Sequence, residues 1–122
     1  MTSGGRIGAV GARVLVLGLT FKEDCPDLRN TRVVDLIREL CEAGATVDVH
    51  DPWVDIALAH AEYGLDIVPQ PQAGYYDAIV LAVAHQRFRD LGATGIRALG
   101  RKGAVIYDLK RVLPAGAADG AL

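Results

Sequence analysis

The sequence predicts an α/β chain of Rossmann-like, three-layer architecture, with a mainly parallel five-stranded sheet and helices on both faces. Three observations predict it. Short runs rich in Val, Ile and Leu recur along the chain, helix-periodic stretches lie between them, and each apolar run stops at Gly, Pro or a polar residue. Parallel neighbours need a long crossover, usually a helix, so this alternation builds a parallel sheet. With 122 residues and 51% hydrophobic side chains, one domain with a full core is expected and a disordered chain is not.

The elements follow in order. Residues 1–12 are glycine-rich and read as a flexible lead-in, 13–114 as the folded unit, and 115–122 as a flexible tail. Arg13 to Gly18 is the first buried strand. Val33, Val34, Ile37, Leu40 and Cys41 fall on one helical face; Asn30 or Thr31 can cap its start, and Gly44 stands where a left-handed C-terminal cap belongs. Thr46 to His50 alternates as a second strand. Asp51-Pro52 reads as an N-cap and first-turn proline for a helix running through Tyr63 and ended by Gly64. Leu65 to Val68 is a third strand closed by Pro69. Ala78 to Val83 is a fourth. Residues 86–99 carry helical signals broken by Gly92 and Gly95, with Thr94 as a restart cap. Ala104 to Tyr107 is a fifth strand ending at Asp108.

Right-handed crossovers leave two strand orders open, flavodoxin-like and the Rossmann half-order. Both place ligands beyond the carboxyl ends of the strands. Those ends carry Leu19 onward, His50-Asp51, Val68-Pro69, Ala84-His85 and the segment from Asp108 through Lys110 to Arg111.

Several functions are excluded. Thirteen basic against fifteen acidic residues leave a formal charge of −2, without the clustered Lys/Arg that nucleic acid or an anionic membrane surface would need. No apolar stretch approaches the roughly 20 residues of a membrane span. Cys25 and Cys41 have no metal-ligand spacing and read as reduced thiols of a cytoplasmic protein. The turn after the first strand has one glycine, Gly18, where a dinucleotide fingerprint would need G-x-G-x-x-G, so NAD binding by this domain alone is not expected. Asp51 stands where an acidic residue would hold a ribose hydroxyl, but the helix N-cap is the better reading. A phosphoacceptor receiver fails because the third strand ends Ile67-Val68-Pro69, without a carboxylate. His60 reads as a surface residue, and His50 and His85 as structural.

The loop 20–30 is longer than the usual 2–6 residues of such connections. It brings Phe21, Lys22 and Arg29 to the ligand edge: a ring, a point charge and a bidentate fork for an anion. Glu23, Asp24 and Asp27 share it, so a solvated loop with internally paired charges fits the composition equally well. Lys110 and Arg111 add a second basic pair at that edge.

The run Gly18-Leu-Thr-Phe-Lys-Glu-Asp-Cys-Pro-Asp-Leu-Arg-Asn-Thr31, followed by His50-Asp-Pro-Trp53 and Tyr107-Asp-Leu-Lys110, carries a resemblance. Over residues 11–113 the chain resembles the C-terminal, UDP-binding domain of the UDP-glucose/GDP-mannose dehydrogenase family. Within it the wording is that of the UDP-N-acetylhexosamine branch, which makes uronic acid sugars for bacterial capsule and O-antigen. The resemblance implies an NAD-dependent oxidoreductase that takes C6 of a UDP-sugar to a carboxylate in two hydride transfers. It further implies an N-terminal NAD-binding domain carrying the catalytic Cys and Lys, and a central helix that makes a homodimer. By the same resemblance, Phe21 and Lys22 contact the nucleotide sugar and Arg29 reaches toward the cofactor. Lys110 or Arg111 points to substrate. Neither Cys25 nor Cys41 matches the family's catalytic thiol, so this chain alone should not turn over. The alternative is a free-standing nucleotide-binding or scaffold module on the same fold.

Overall fold

The computed structural model describes residues 11–20, 32–109 and 112–113. The lead-in through residue 10, most of the long first loop and the tail from 114 lie outside the described residues. Four strands, β1 (Arg13–Leu17), β2 (Thr46–His50), β3 (Tyr76–Leu81) and β4 (Gly100–Asp108), form one all-parallel sheet in the order β2-β1-β3-β4. Three helices connect them: α1 (Val33–Glu42), α2 (Ile56–Tyr63) and α3 (Gln86–Arg97).

Side chains alternate across a strand, and both faces of this sheet are covered. On one face Val14, Val16, Val49, Ala78 and Val80 pack with Val34 and Ile37 of α1 and Ala59 of α2. On the other, Leu15, Leu17, Ile79, Leu81 and Ile106 pack with Phe88 and Ile96 of α3. The result is the three-layer Rossmann-like architecture expected from the strand–helix alternation. Each fully buried Leu, Ile or Phe contributes about 1.5–3 kcal/mol, so these two layers are the main source of stability.

Among the described residues the sheet has four strands, not the expected five. Leu65 to Val68 forms a single parallel bridge, Val49 with Ile67, at the outer edge of β2. Val68 N–H donates to the Val49 carbonyl at 2.8 Å, and the Val68 carbonyl accepts from His50 Nδ1 at 2.9 Å. Pro69 follows at once, with a fixed φ and no N–H, and the ladder stops there. Counting that bridge as a vestigial strand, the spatial order is the Rossmann half-order, which settles the choice the sequence left open.

Helix ends follow local chemistry where the partners are local. Past the C-terminus of α1, Gly44 takes φ 98°. Its N–H reaches the Cys41 carbonyl at 3.0 Å, while Ala45 N–H reaches Leu40 at 3.1 Å. This is the paired-bond left-handed cap that glycine favours. Gly64 closes α2 in the left-handed conformation, as expected. The start of α2 is different: Asp55, not Asp51, is its N-cap, accepting from Leu58 N–H at 3.1 Å. In α3 two helical segments meet at a kink at Gly92 (φ 66°, ψ 179°), and the second runs through Thr94 and Gly95, so the break is where the sequence put one of its two, without Thr94 as the restart cap. The expected caps Asn30 and Thr31 of α1 lie outside the described residues.

At the amino edge of the sheet, polar groups are locked together. The Asp77 carboxylate accepts from Arg13 N–H at 2.8 Å and pairs with the Arg101 guanidinium, which holds its carboxyl below the usual value, the Arg13 amide contributing most. The Arg13 guanidinium stacks over the Tyr75 ring at 4.5 Å. Gly11 and Ala12, assigned by composition to the lead-in, hydrogen-bond to Gly44 and Thr46, and Ala12 is buried.

Candidate functional site at the strand carboxyl ends

In the order β2-β1-β3-β4 the crossovers leave β1 in opposite directions. The crevice between the ends of β1 and β3 is therefore the switch point, where such sheets bind ligands. Three chain segments converge there. Leaving β1, Gly18 has φ 102°, and a Cβ on it would lie 2.6 Å from Val83 Cβ and 2.8 Å from Val83 N. Glycine is what lets the β3–α3 connection close over the end of β1.

Beneath that crevice lies a buried polar network. Asp51, directly after β2, turns inward. Its Oδ2 accepts from Leu19 N–H (2.7 Å), Thr20 N–H (3.1 Å) and His85 Nε2 (2.8 Å), and its Oδ1 from Trp53 N–H (2.7 Å). Thr20 Oγ1 lies 3.1 Å from the same His85 nitrogen. Neither the Asp51 nor the His85 side chain reaches solvent. Burial alone would raise the Asp51 carboxyl; the His85 hydrogen bond and then the Leu19, Trp53 and Thr20 amides outweigh it and hold the carboxyl below its ordinary value. An ionised carboxylate only accepts, so His85 Nε2 carries the proton. The ring of His85 rests against Phe88, centroid to centroid 5.5 Å, which fixes it from below.

Above the network, a cleft of about 590 Å³ opens between the turn after β2 and the first turns of α3. Pro52, Trp53, Gln86, Arg87, Asp90 and Leu91 line it. Trp53 and Leu91 are each nearly half exposed there, so the cleft offers an aromatic face and apolar contact beside a guanidinium. At the end of β4, Asp108 is buried and its two oxygens accept from Val112 N–H (2.9 Å) and Leu113 N–H (2.8 Å).

The sequence-derived site residues Phe21, Lys22, Arg29, Lys110 and Arg111 all lie outside the described residues. Their flanks are placed. Phe21 and Lys22 follow Thr20 directly, and Lys110 follows Leu109, whose N–H bonds to the Leu81 carbonyl at 3.0 Å. One strand, β3, separates β1 from β4, so the two chain exits are about 10 Å apart. The reading of Asp51 as a helix N-cap is corrected: its four acceptor contacts turn it to the interior. His50 bonds to the Val68 carbonyl and His85 to Asp51, and the sequence reading missed that His85 meets Asp51. The signal was present as two polar residues at strand ends; only the strand order brings them together.

The same geometry bears on NAD. A dinucleotide site needs glycines for backbone approach to the pyrophosphate and a free carboxylate after β2 for the ribose. Here Gly18 is the single glycine of that turn, and the Asp51 carboxylate is buried and bonded on both oxygens. The described residues do not fit an NAD site.

A Rossmann-ordered sheet with a crevice at its switch point, and without the dinucleotide fingerprint, defines an α/β domain whose candidate ligand site is of the non-dinucleotide kind. Residues 15–115 match the UDP-glucose/GDP-mannose dehydrogenase family, UDP binding domain, and the chain belongs to that family. It is 55% identical over 114 residues to a UDP-N-acetyl-D-glucosamine 6-dehydrogenase of Pseudomonas aeruginosa, and 48% identical over 113 residues to the enzyme of that name from Salmonella typhi. Each match covers 93% of this chain and 27% of the relative. The chain thus spans about a quarter of the length of these curated relatives. Among solved structures, an NDP-N-acetyl-D-galactosaminuronic acid dehydrogenase from Methanosarcina mazei Go1 superposes with a TM-score of 0.74 at 30% identity, covering 88% of this chain and 22% of that one. Among the described residues, no helix is long and apolar enough to cross a membrane.

Proposed function

We propose that this chain is the C-terminal, nucleotide-sugar-binding part of an NAD-dependent UDP-sugar 6-dehydrogenase acting on a UDP-N-acetylhexosamine. The observation that carries the reading is the 55% identity to a UDP-N-acetyl-D-glucosamine 6-dehydrogenase across nearly the whole chain, site loop included. In this reading the domain grips the UDP moiety at the switch-point crevice, through Phe21 and Lys22 and through Lys110 or Arg111. Arg29 reaches toward the cofactor. NAD is bound mainly by an N-terminal domain of the same protein, which supplies the hydride acceptor while C6 is oxidised to the carboxylate. The intact enzyme is a cytoplasmic homodimer, and its product is a uronic acid sugar for capsule or O-antigen.

The physical chemistry supports a shared site. Each charge-assisted hydrogen bond is worth about 1.5–3 kcal/mol, and two or three of them barely exceed the cost of association. This chain by itself therefore binds UDP weakly, and affinity develops when a second domain closes the cleft. Calorimetric titration of UDP into the chain tests this, with emission from Trp53, the single tryptophan, as a second readout. Submicromolar affinity would mean that the site is complete here. With NAD and UDP-N-acetylglucosamine the chain should form no NADH, whereas the intact protein should. An intact protein that binds UDP and oxidises no UDP-sugar would favour the free-standing module instead.

A further inference from the structure

The large apolar side chains that stand exposed among the described residues gather toward the carboxyl ends of the strands. Trp53 and Ile56 are each 46% exposed, Leu58 44% and Leu91 45%. The first three occupy the turn after β2 and the first turn of α2, and Leu91 of α3 shares the cleft with Trp53. Helix α2 itself is poorly covered. Its run Ile-Ala-Leu-Ala-His-Ala-Glu-Tyr carries apolar side chains all round instead of along one stripe, yet only Ala59 is buried. A helix of that composition is normally enclosed, and eight residues are too few to persist on propensity alone. Polar groups frame the surface: Gln86 Nε2 donates to Asp90 Oδ1 at 2.9 Å, and Arg87 is exposed beside them. An apolar patch that includes a tryptophan and has a polar, arginine-bearing rim has the make-up of a protein interface.

We infer that Trp53, Ile56, Leu58 and Leu91 form the seat on which the remainder of the same polypeptide docks in the intact protein. The inference rests on the UDP-sugar reading above in needing a longer chain. Two observations favour that occupant over a second copy of this domain. The chain spans 27% of its curated relatives, so nearly three quarters of such a protein lies outside this structure. The patch also borders the cleft that a second domain closes in that reading. Its area points the same way. One indole and three aliphatic side chains, each about half exposed, leave on the order of 400 Å². Separate molecules need about 800 Å² from each partner for a stable complex. A domain on the same chain docks on less, because linkage holds it at an effective concentration in the millimolar range.

The test uses the intact protein that contains this domain, carrying Leu91→p-benzoylphenylalanine as a photo-cross-linker. After irradiation, denaturing electrophoresis separates products within one chain from products between chains, and mass spectrometry maps the joined peptides. The main product should keep single-chain mobility and join residue 91 to a peptide outside this domain. Trp53→Ala in the same background should lower its yield about threefold, and Ile56→Ser serves if Trp53→Ala fails to fold. A product of doubled mass would put a second copy on the surface, and cross-links confined to this domain would leave the surface bare. Either result overturns the inference. Cross-linking needs no turnover, so the two readings fail separately. A protein that cross-links as expected but oxidises no UDP-sugar loses the functional reading and keeps the docking surface. One that oxidises UDP-N-acetylglucosamine without the cross-link loses the docking surface alone. An intact protein consisting of this domain only would overturn both.

Discussion

The Asp51 carboxylate and the His85 imidazole meet 2.8 Å apart, with both side chains shielded from solvent, and they span the end of β1 from its two sides. The Leu19 and Thr20 amides lie between them on the same carboxylate oxygen. A charged acceptor in the interior is tolerated only when its hydrogen-bonding capacity is filled, and four donors fill this one.

Asp51→Asn sets an amide against those donors. It should cost about 3 kcal/mol at neutral pH, measured as the shift in urea unfolding free energy. The Asp51 carboxyl is held below its ordinary value in the folded chain, so its contribution is present above the unfolded value of about 3.9 and is lost as pH falls through the folded value. The gap between wild type and variant should narrow only below about pH 4. A variant as stable as wild type at neutral pH would show that the network contributes nothing to folding.

Gly18→Ala places a methyl group 2.6 Å from Val83 Cβ at a φ of 102°. Overpacking and left-handed strain together should destabilise the chain by about 3 kcal/mol. Because the closest contacts are the Val83 Cβ and backbone nitrogen, both of which alanine keeps, Val83→Ala should not rescue it. Thermal melts of the single and double variants decide the matter, and a rescued double variant would place the strain in the Val83 Cγ2 contact.

The Tyr76 hydroxyl donates to Asp48 Oδ2 at 2.7 Å, and burial first, then that hydrogen bond, push its phenol up to about 12. The folded chain keeps this proton after the unfolded chain has released it. The stability it supplies is therefore full below about pH 10 and falls as pH rises toward the folded value. Tyr76→Phe should cost about 1 kcal/mol at neutral pH and flatten the alkaline decline. Parallel alkaline denaturation curves for the two proteins would refute that assignment.

On the proposed UDP-sugar reading, Lys22→Ala in the intact protein should raise the UDP-sugar KM or lower turnover by about tenfold, with an unchanged melting temperature. Steady-state kinetics with UDP-N-acetylglucosamine read it directly. Unchanged constants would remove Lys22 from the site.

What the sequence determined by itself was everything encoded in neighbours along the chain. The runs of β1 and β3 are nearly continuous in apolar residues because both sheet faces are buried there, while β2 nearer the edge alternates. Gly44 and Gly64 end their helices because the left-handed cap is a local geometry. The motif after Gly18 pointed to the family for the same reason, being one contiguous stretch. The tertiary structure decided what depends on contacts far apart in sequence. It selected the Rossmann half-order and reduced Leu65 to Val68 to one bridge at the sheet edge. It also turned Asp51 from a local cap to an inward acceptor for groups 31, 32 and 34 residues away. An aspartate before a proline offers the same local chemistry whether it caps a helix or faces the core. Only the placement of β1 between β2 and β3 brings the Leu19 amide and His85 within reach, and those bonds outweigh the cap.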